Sequence, residues 1–214
     1  MKIVIVGAGK IGYSLAEELA NENHDITVVD IEKEKVKLLS DTLDVMTLCG
    51  NGAAISVQRE ANVDESDLLI AVTAQDELNM LACIVARKLG CKKIGLYINT
   101  RYKWAGAAIG MCDIVWIPHW GLNDGNIPAD KYKPSCPHEL WQYTSCGSLA
   151  GVNGSVDLSL LSGGKPLDFF TGVETIPAPD ETEGSEKKMF TNIRLAEFAL
   201  KVFDAKWVYW YGTY

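Results

Sequence analysis

Aromatic residues are almost missing from the first part of this chain: of its 6 Trp, 8 Tyr and 5 Phe, only Tyr13 precedes residue 94. Charge shows no such step, with 10 Lys+Arg against 15 Asp+Glu in residues 1–93 and 10 against 13 in 94–214. The aromatic step therefore marks two segments of different ancestry. An excess of positive charge is also lacking. The formal net charge of −8 repels polyanions and excludes nucleic acid or an acidic membrane surface as a partner. There is no apolar run of about 20 residues, so nothing is expected to span a bilayer. Met1 to Gly9 is too short for a signal-peptide core. The 6 cysteines contain no C-x-x-C pair, which points to reduced, mostly buried thiols in a cytoplasmic protein. His119 and His138 have no Cys or carboxylate cluster at ligand spacing, so no metal site is expected.

What is present begins with alternation. Lys2–Val6, Ile26–Asp30, Asp44–Leu48 and Asp67–Val72 read as strands. Between them, Lys10–Asn21, Glu32–Ser40 and a short stretch near Ala54–Ala61 read as helices, and Glu77–Leu89 follows the fourth strand. Ile11, Leu15 and Leu19 share one face of the first helix, Val36 and Leu39 one face of the second. Leu78, Leu81, Ala82, Val85 and Leu89 line the last, which Gly90 would cap. Strand-then-helix repeats predict a parallel sheet with right-handed crossovers.

Gly7-Ala8-Gly9-Lys10-Ile11-Gly12 fits G-x-G-x-x-G in its full context: it follows a strand, opens a helix, and precedes a strand ending in Asp30. Gly7 allows the tight turn, Gly9 clears space for a pyrophosphate, and Gly12 lets helix and strand pack closely. The helix N-terminus at Lys10 and Ile11 then receives the phosphates. Asp30, followed by Ile31, can accept from both ribose hydroxyls and would repel a 2′-phosphate, which favours NAD over NADP. Ligands of parallel sheets sit beyond the strand carboxyl ends, so Gly50-Asn51 and Thr73-Ala74 join the candidate site. Asp76 is either an N-cap or part of that site.

On the stretches KIVIVGAGKIGYSLAEELANENHDITVVDIEKEKV, LCGNGA and DLLIAVTAQDELNMLACIVARKLGCKK, residues 1–93 resemble the N-terminal nucleotide-binding (RCK) domain of TrkA/Ktr-type potassium-uptake regulators. The resemblance implies a cytoplasmic regulator that binds NAD or NADH, or alternatively ATP or ADP. It also implies a membrane potassium-transporter subunit as partner and a homo-oligomer, although the family's usual dimer-forming elements are not found in this sequence. Gly50-Asn51 departs from the family's usual Gly-Asp.

Residues 94–170 read differently, with strands expected at Ile94–Ile98, Asp113–Pro118 and Glu139–Tyr143, a helix at Trp104–Ile109, and a Gly-rich loop between Cys146 and Gly154. On IGLYINTRYKW, DIVWIPHWG and HELWQYTSCGSLAGVNGSVDLSLLSG, this part resembles the C-terminal third of family 25 glycoside hydrolases, the Chalaropsis-type lysozymes. That resemblance implies part of an α/β barrel, an active-site surface at Asp157, and a sugar groove lined by Trp116, Trp120, Trp141 and Tyr143. The acid and the Asp-x-Glu pair such cleavage needs should precede residue 94, where the nucleotide-binding segment stands instead. No catalytic residue is assigned, Asp157 being marked by resemblance alone.

Residues 171–188 are acidic and Pro-, Gly- and Thr-rich, a linker composition. Residues 189–214 show helical spacing over Phe190–Asp204, then an aromatic run that weakly resembles the opening of NlpC-type peptidases. The expected fold is α/β: a Rossmann-like parallel sheet over 1–93, continued or followed by β/α units of a partial lysozyme-type barrel. Extension of the first sheet is preferred, because a few barrel strands cannot close alone. The expected function is nucleotide-dependent regulation of potassium uptake. The alternatives are an inactive, peptidoglycan-directed lysozyme-like fragment, or a hybrid of two genes.

Overall fold

The computed structural model describes residues 1–99, 105–148 and 154–165. Eight strands form one sheet: β1 (Lys2–Val6), β2 (Asp25–Asp30), β3 (Met46–Cys49), β4 (Leu68–Ala71), β5 (Lys93–Tyr97), β6 (Ile114–Pro118), β7 (Leu140–Gly147) and β8 (Val156–Leu161). Their order is β3-β2-β1-β4-β5-β6-β7-β8. All neighbours run parallel except the last pair, β7 and β8. The helices are α1 (Lys10–Asn21), α2 (Lys33–Thr42), α3 (Ile55–Glu60), α4 (Asp76–Leu89) and α5 (Ala105–Ile109).

The β-branched runs make the sheet because both of their faces are covered. Ile3 and Ile5 pack under α1 and α2 with Leu15, Leu19 and Leu39. Val4 and Val6 point to the opposite layer, with Ala82, Cys83 and Ala86 of α4. Small residues bring α4 close to the sheet. The expected inward face of this helix is corrected at Leu81, which is 50% exposed; Ala82 is buried and Leu78 and Leu89 pack against the same core, where Asn79, Cys83 and Ala86 are the further buried positions. Acidic Asp76 and Glu77 in the first turn and basic Arg87 and Lys88 in the last both complement the helix dipole. Gly90 ends α4 at φ +107°, as expected of a left-handed cap.

The sheet runs straight through the boundary between the two kinds of sequence. β4 pairs with β5 in the register Leu69↔Ile94 and Ala71↔Leu96, so the strand after Lys93 extends the first sheet. Among the described residues no lysozyme-type barrel forms; the sheet is open, with β3 and β8 at its edges. β8 lies in the stretch for which no strand was expected. The linker at 171–188 and the helix and aromatic run of 189–214 lie outside the described residues, as does Trp104, the expected start of the fifth helix.

A repeated device closes the amino ends of the strands. The carboxylate just before β4 accepts from the first strand of its neighbour: Lys2 N–H donates to Asp67 Oδ2 at 2.8 Å. Asp113 before β6 does the same for Ile94 N–H at 2.8 Å, and Glu139 before β7 for Val115 N–H at 2.8 Å. Each acid also meets a cation: Asp67 meets Lys92, Asp113 meets Arg87, and Glu139 meets Lys165.

Candidate functional site

The three glycines of the first turn are separable by what a side chain would meet there. Gly7 has φ +110°, and a Cβ would lie 2.9 Å from Thr73 N. At Gly12 a Cβ would fall 1.7 Å from the Gly7 carbonyl oxygen, so this glycine allows the helix to start against the turn. At Gly9 a Cβ would meet nothing within 4 Å. Two glycines thus serve packing, and the third leaves open space at the head of α1.

That helix end is prepared for an anion. Gly9 is the N-cap, no side chain caps the helix, and its first turn contains no acid. By contrast α2 and α4 carry acids in their first turns. A helix N-terminus with no side-chain cap and a positive dipole end suits an anion. Lys10 is exposed beside it, while Ile11 is turned towards the core under α1.

Asp30 stands at the carboxyl end of β2, next to the turn. Its Oδ2 accepts from Ala8 N–H at 2.6 Å and its Oδ1 from Glu32 N–H at 2.9 Å. The carboxylate thus ties the phosphate turn to β2, and each oxygen keeps a lone pair for a further donor such as a ribose hydroxyl. Ile31, 69% exposed, offers an apolar surface beside it.

The neighbouring loops complete the rim. Gly50 N–H donates to the Asp30 carbonyl at 2.9 Å, and Asn51 Oδ1 accepts from Ala53 N–H at 2.9 Å. The Asn51 amide oxygen accepts in this turn as a carboxylate oxygen would. Thr73, against Gly7, has its hydroxyl within 2.7 Å of Asn79 Oδ1, and Ala74 is exposed. Asp76 is not the N-cap of α4; that position is Gln75, and Asp76 Oδ1 accepts from Asn99 N–H at 3.2 Å.

One residue of this site went unnoticed in the sequence. Asn79 is fully buried and joins the ends of two strands. Its Oδ1 accepts from Thr73 N–H at 2.8 Å, and its Nδ2 donates to the carbonyls of Thr73 and Tyr97 at 3.0 and 3.1 Å. Nothing but a polar residue on an inward helical face signals it.

The expected sugar groove is corrected. Trp116, Trp141 and Tyr143 are 5, 3 and 2% exposed and lie in two separate cores, while Trp120 is 45% exposed. Aromatic rings divided in this way line no common groove. Among the described residues, no group of three or more His, Cys, Asp or Glu could hold a metal ion, and no helix is long and apolar enough to cross a membrane. A cavity lined by Lys2, His24, Asp25, Asn62 and Ser66 opens at the amino ends of the strands, opposite the glycine turn.

A doubly wound parallel sheet with an open glycine at an uncapped helix N-terminus, facing a carboxylate on the second strand, defines a Rossmann-like nucleotide-binding unit. Residues 3–108 match the family model of the TrkA-N domain. Over 89 residues the chain is 49% identical to the Trk system potassium uptake protein TrkA of Halomonas elongata, a match covering 42% of this chain and 20% of that protein. Over 94 residues it is 37% identical to the TrkA homolog of Methanothermobacter thermautotrophicus, covering 44% of each. The chain thus spans less than half the length of these relatives. A similar solved structure is the TrkA-N domain of inner membrane protein YbaL from Escherichia coli. It has 20% identity and a TM-score of 0.48, covering 54% of this chain and 86% of that one. The resemblance carried by residues 1–93 is borne out by the family-model match and the similarity to TrkA proteins.

Proposed function

We propose that this chain is a nucleotide-binding regulator of potassium uptake that takes NAD or NADH in the crevice between Gly9 and Asp30. The observation that carries the reading is the open, uncapped start of α1 directly facing a carboxylate that already fixes the turn. The diphosphate would lie on the helix N-terminus. The adenosine ribose would donate to Asp30, with Ile31 and the Gly50-Asn51 turn bordering the base and Thr73-Ala74 bordering the phosphates. Asp30 disfavours a 2′-phosphate, so NADP is the weaker ligand.

The similarity to TrkA proteins supports a role in which the bound state is passed to a membrane potassium-transporter subunit, from the cytoplasmic side and in an oligomer of this chain. Binding rather than turnover is the activity proposed. A peptidoglycan-directed role for residues 94–165 is not adopted, because the aromatic side chains it would need are distributed between cores.

Thermal unfolding of the chain with NAD, NADH, ADP and ATP at millimolar concentration tests the reading. The expected result is a raised melting temperature with NAD or NADH that Asp30→Ala abolishes. No rise with any of the four would overturn it.

A further inference from the structure

The core between the sheet and α4 holds two thiols from distant parts of the chain. Cys83, on the buried face of α4, is 3% exposed, and its thiol donates to the Gly95 carbonyl of β5 at 3.6 Å. Cys112, between α5 and β6, is partly exposed and packs against the same core.

The chain on either side of Cys112 is fixed by direct hydrogen bonds. Arg87, one turn after Cys83 on α4, donates to the Met111 carbonyl at 2.9 Å and pairs with the Asp113 carboxylate. The Asp113 N–H donates to the Ile94 carbonyl of β5 at 2.9 Å. Gly95, which receives the Cys83 thiol, is the strand partner of Ile114. Both chain neighbours of Cys112 are thus tied to α4 and β5, the helix that carries Cys83 and the strand its thiol meets. In keeping with that placement, a hydrogen bond with Cys112, and next burial, hold the Cys83 thiol well above its usual range.

We propose that Cys83 and Cys112 form a reversible oxidation site, closed to a disulfide by peroxide and reopened by thiols. Cys112 is the half that solvent reaches. Its thiolate attacks one peroxide oxygen: an S–O bond forms, the O–O bond breaks, and one water leaves. The Cys83 sulfur then attacks the Cys112 sulfenic acid. An S–S bond forms, the S–O bond breaks, and the Cys83 proton leaves with the hydroxyl as a second water. The two sulfurs lose two electrons and the peroxide gains them. A thiol reductant reverses the reaction by exchange. A transient bond of this kind suits thiols that are otherwise kept reduced. Asn79 lies one turn before Cys83 on the same buried face, so the bond would pin the helix that holds the Thr73 end of the glycine crevice. Its formation needs no nucleotide, and the proposal stands independently of the reading above.

Peroxide treatment of the folded full chain, alkylation of the remaining thiols and tryptic mapping by mass spectrometry test it. Trypsin cuts after Arg59, Arg87, Lys103 and Lys131, which leaves each of the two cysteines alone in its peptide. The expected product joins these two peptides, two hydrogens lighter than their sum, and dithiothreitol releases them. Cys112→Ser should leave Cys83 alkylated after the same treatment. Both thiols alkylated in the parent, or Cys112 joined to a different cysteine, overturns the proposal. Should the variant not fold, the parent treated in urea is the comparison. A Cys83–Cys112 product confined to the folded chain supports the proposal, and the same mixture of pairings in both conditions contradicts it.

Discussion

Two glycines three residues apart in the same turn should respond in opposite ways to the same substitution. Gly12→Ala places a methyl 1.7 Å from the Gly7 carbonyl oxygen, backbone that cannot swing aside, and should cost about 1–3 kcal/mol or more in urea unfolding. Gly9→Ala meets nothing within 4 Å. It should change stability by no more than about 1 kcal/mol, the scale of an N-cap substitution, yet weaken nucleotide binding by filling the space a diphosphate needs. The glycine spacing and Asp30 were readable from residues alone, because only this pattern follows a strand and opens a helix. The bonds from Ala8 and Glu32 to Asp30 were not, since they depend on where β2 ends relative to the turn. Asn79 was equally hidden, its importance lying in contacts with Thr73 and Tyr97 that are distant in sequence.

Among the elements, the carboxylates at the amino ends of the strands carry the clearest consequences. Asp113→Ala leaves the Ile94 N–H, on a buried strand residue, without its acceptor and separates Arg87 from its partner. A loss of about 1–3 kcal/mol in urea unfolding is expected. Asp67 adds a pH dependence: its hydrogen bond from Lys92, and next that from the Lys2 backbone, hold its carboxyl below the usual range. A depressed folded-state pKa contributes stability above the unfolded value of roughly 4 that is lost as pH falls through the folded value. Asp67→Asn should therefore be less stable than the parent at neutral pH, and the gap should close below about pH 4 in unfolding titrations. The strands up to β6 were legible because β-branched runs are long enough to stand out between helices, and the expected strand at Glu139–Tyr143 is the first half of β7 (Leu140–Gly147). On the inward face of α4 Leu78, Ala82 and Leu89 were read correctly, but Leu81 was not, since hydropathy favours it over the Asn79, Cys83 and Ala86 side chains that lie against the sheet. β8 escaped notice because Val156–Leu161 follows a Gly-rich loop and mixes Asp and Ser into a strand whose polar face is satisfied only by β6 and β7.

At the scale of the whole molecule, the change in sequence character at residue 94 has no counterpart in the sheet. Leu68–Ala71 is buried along its length and pairs with β1 on one side and β5 on the other, which joins the glycine turn mechanically to strands of the other sequence type. All 6 Trp lie after residue 94, so tryptophan fluorescence reports on the part that holds no glycine turn. If the sheet is one cooperative unit, ligand binding at Gly9 must raise the unfolding midpoint seen by tryptophan. The most direct measurement is therefore tryptophan-detected melting of the full chain with and without saturating NADH, alongside Asp30→Ala. At about 100 times the dissociation constant the expected stabilisation is about 2.7 kcal/mol, a rise of roughly 5–10 °C for a chain of this size, absent in Asp30→Ala. A midpoint unmoved by NADH in the parent chain, or moved equally in Asp30→Ala, would contradict the account.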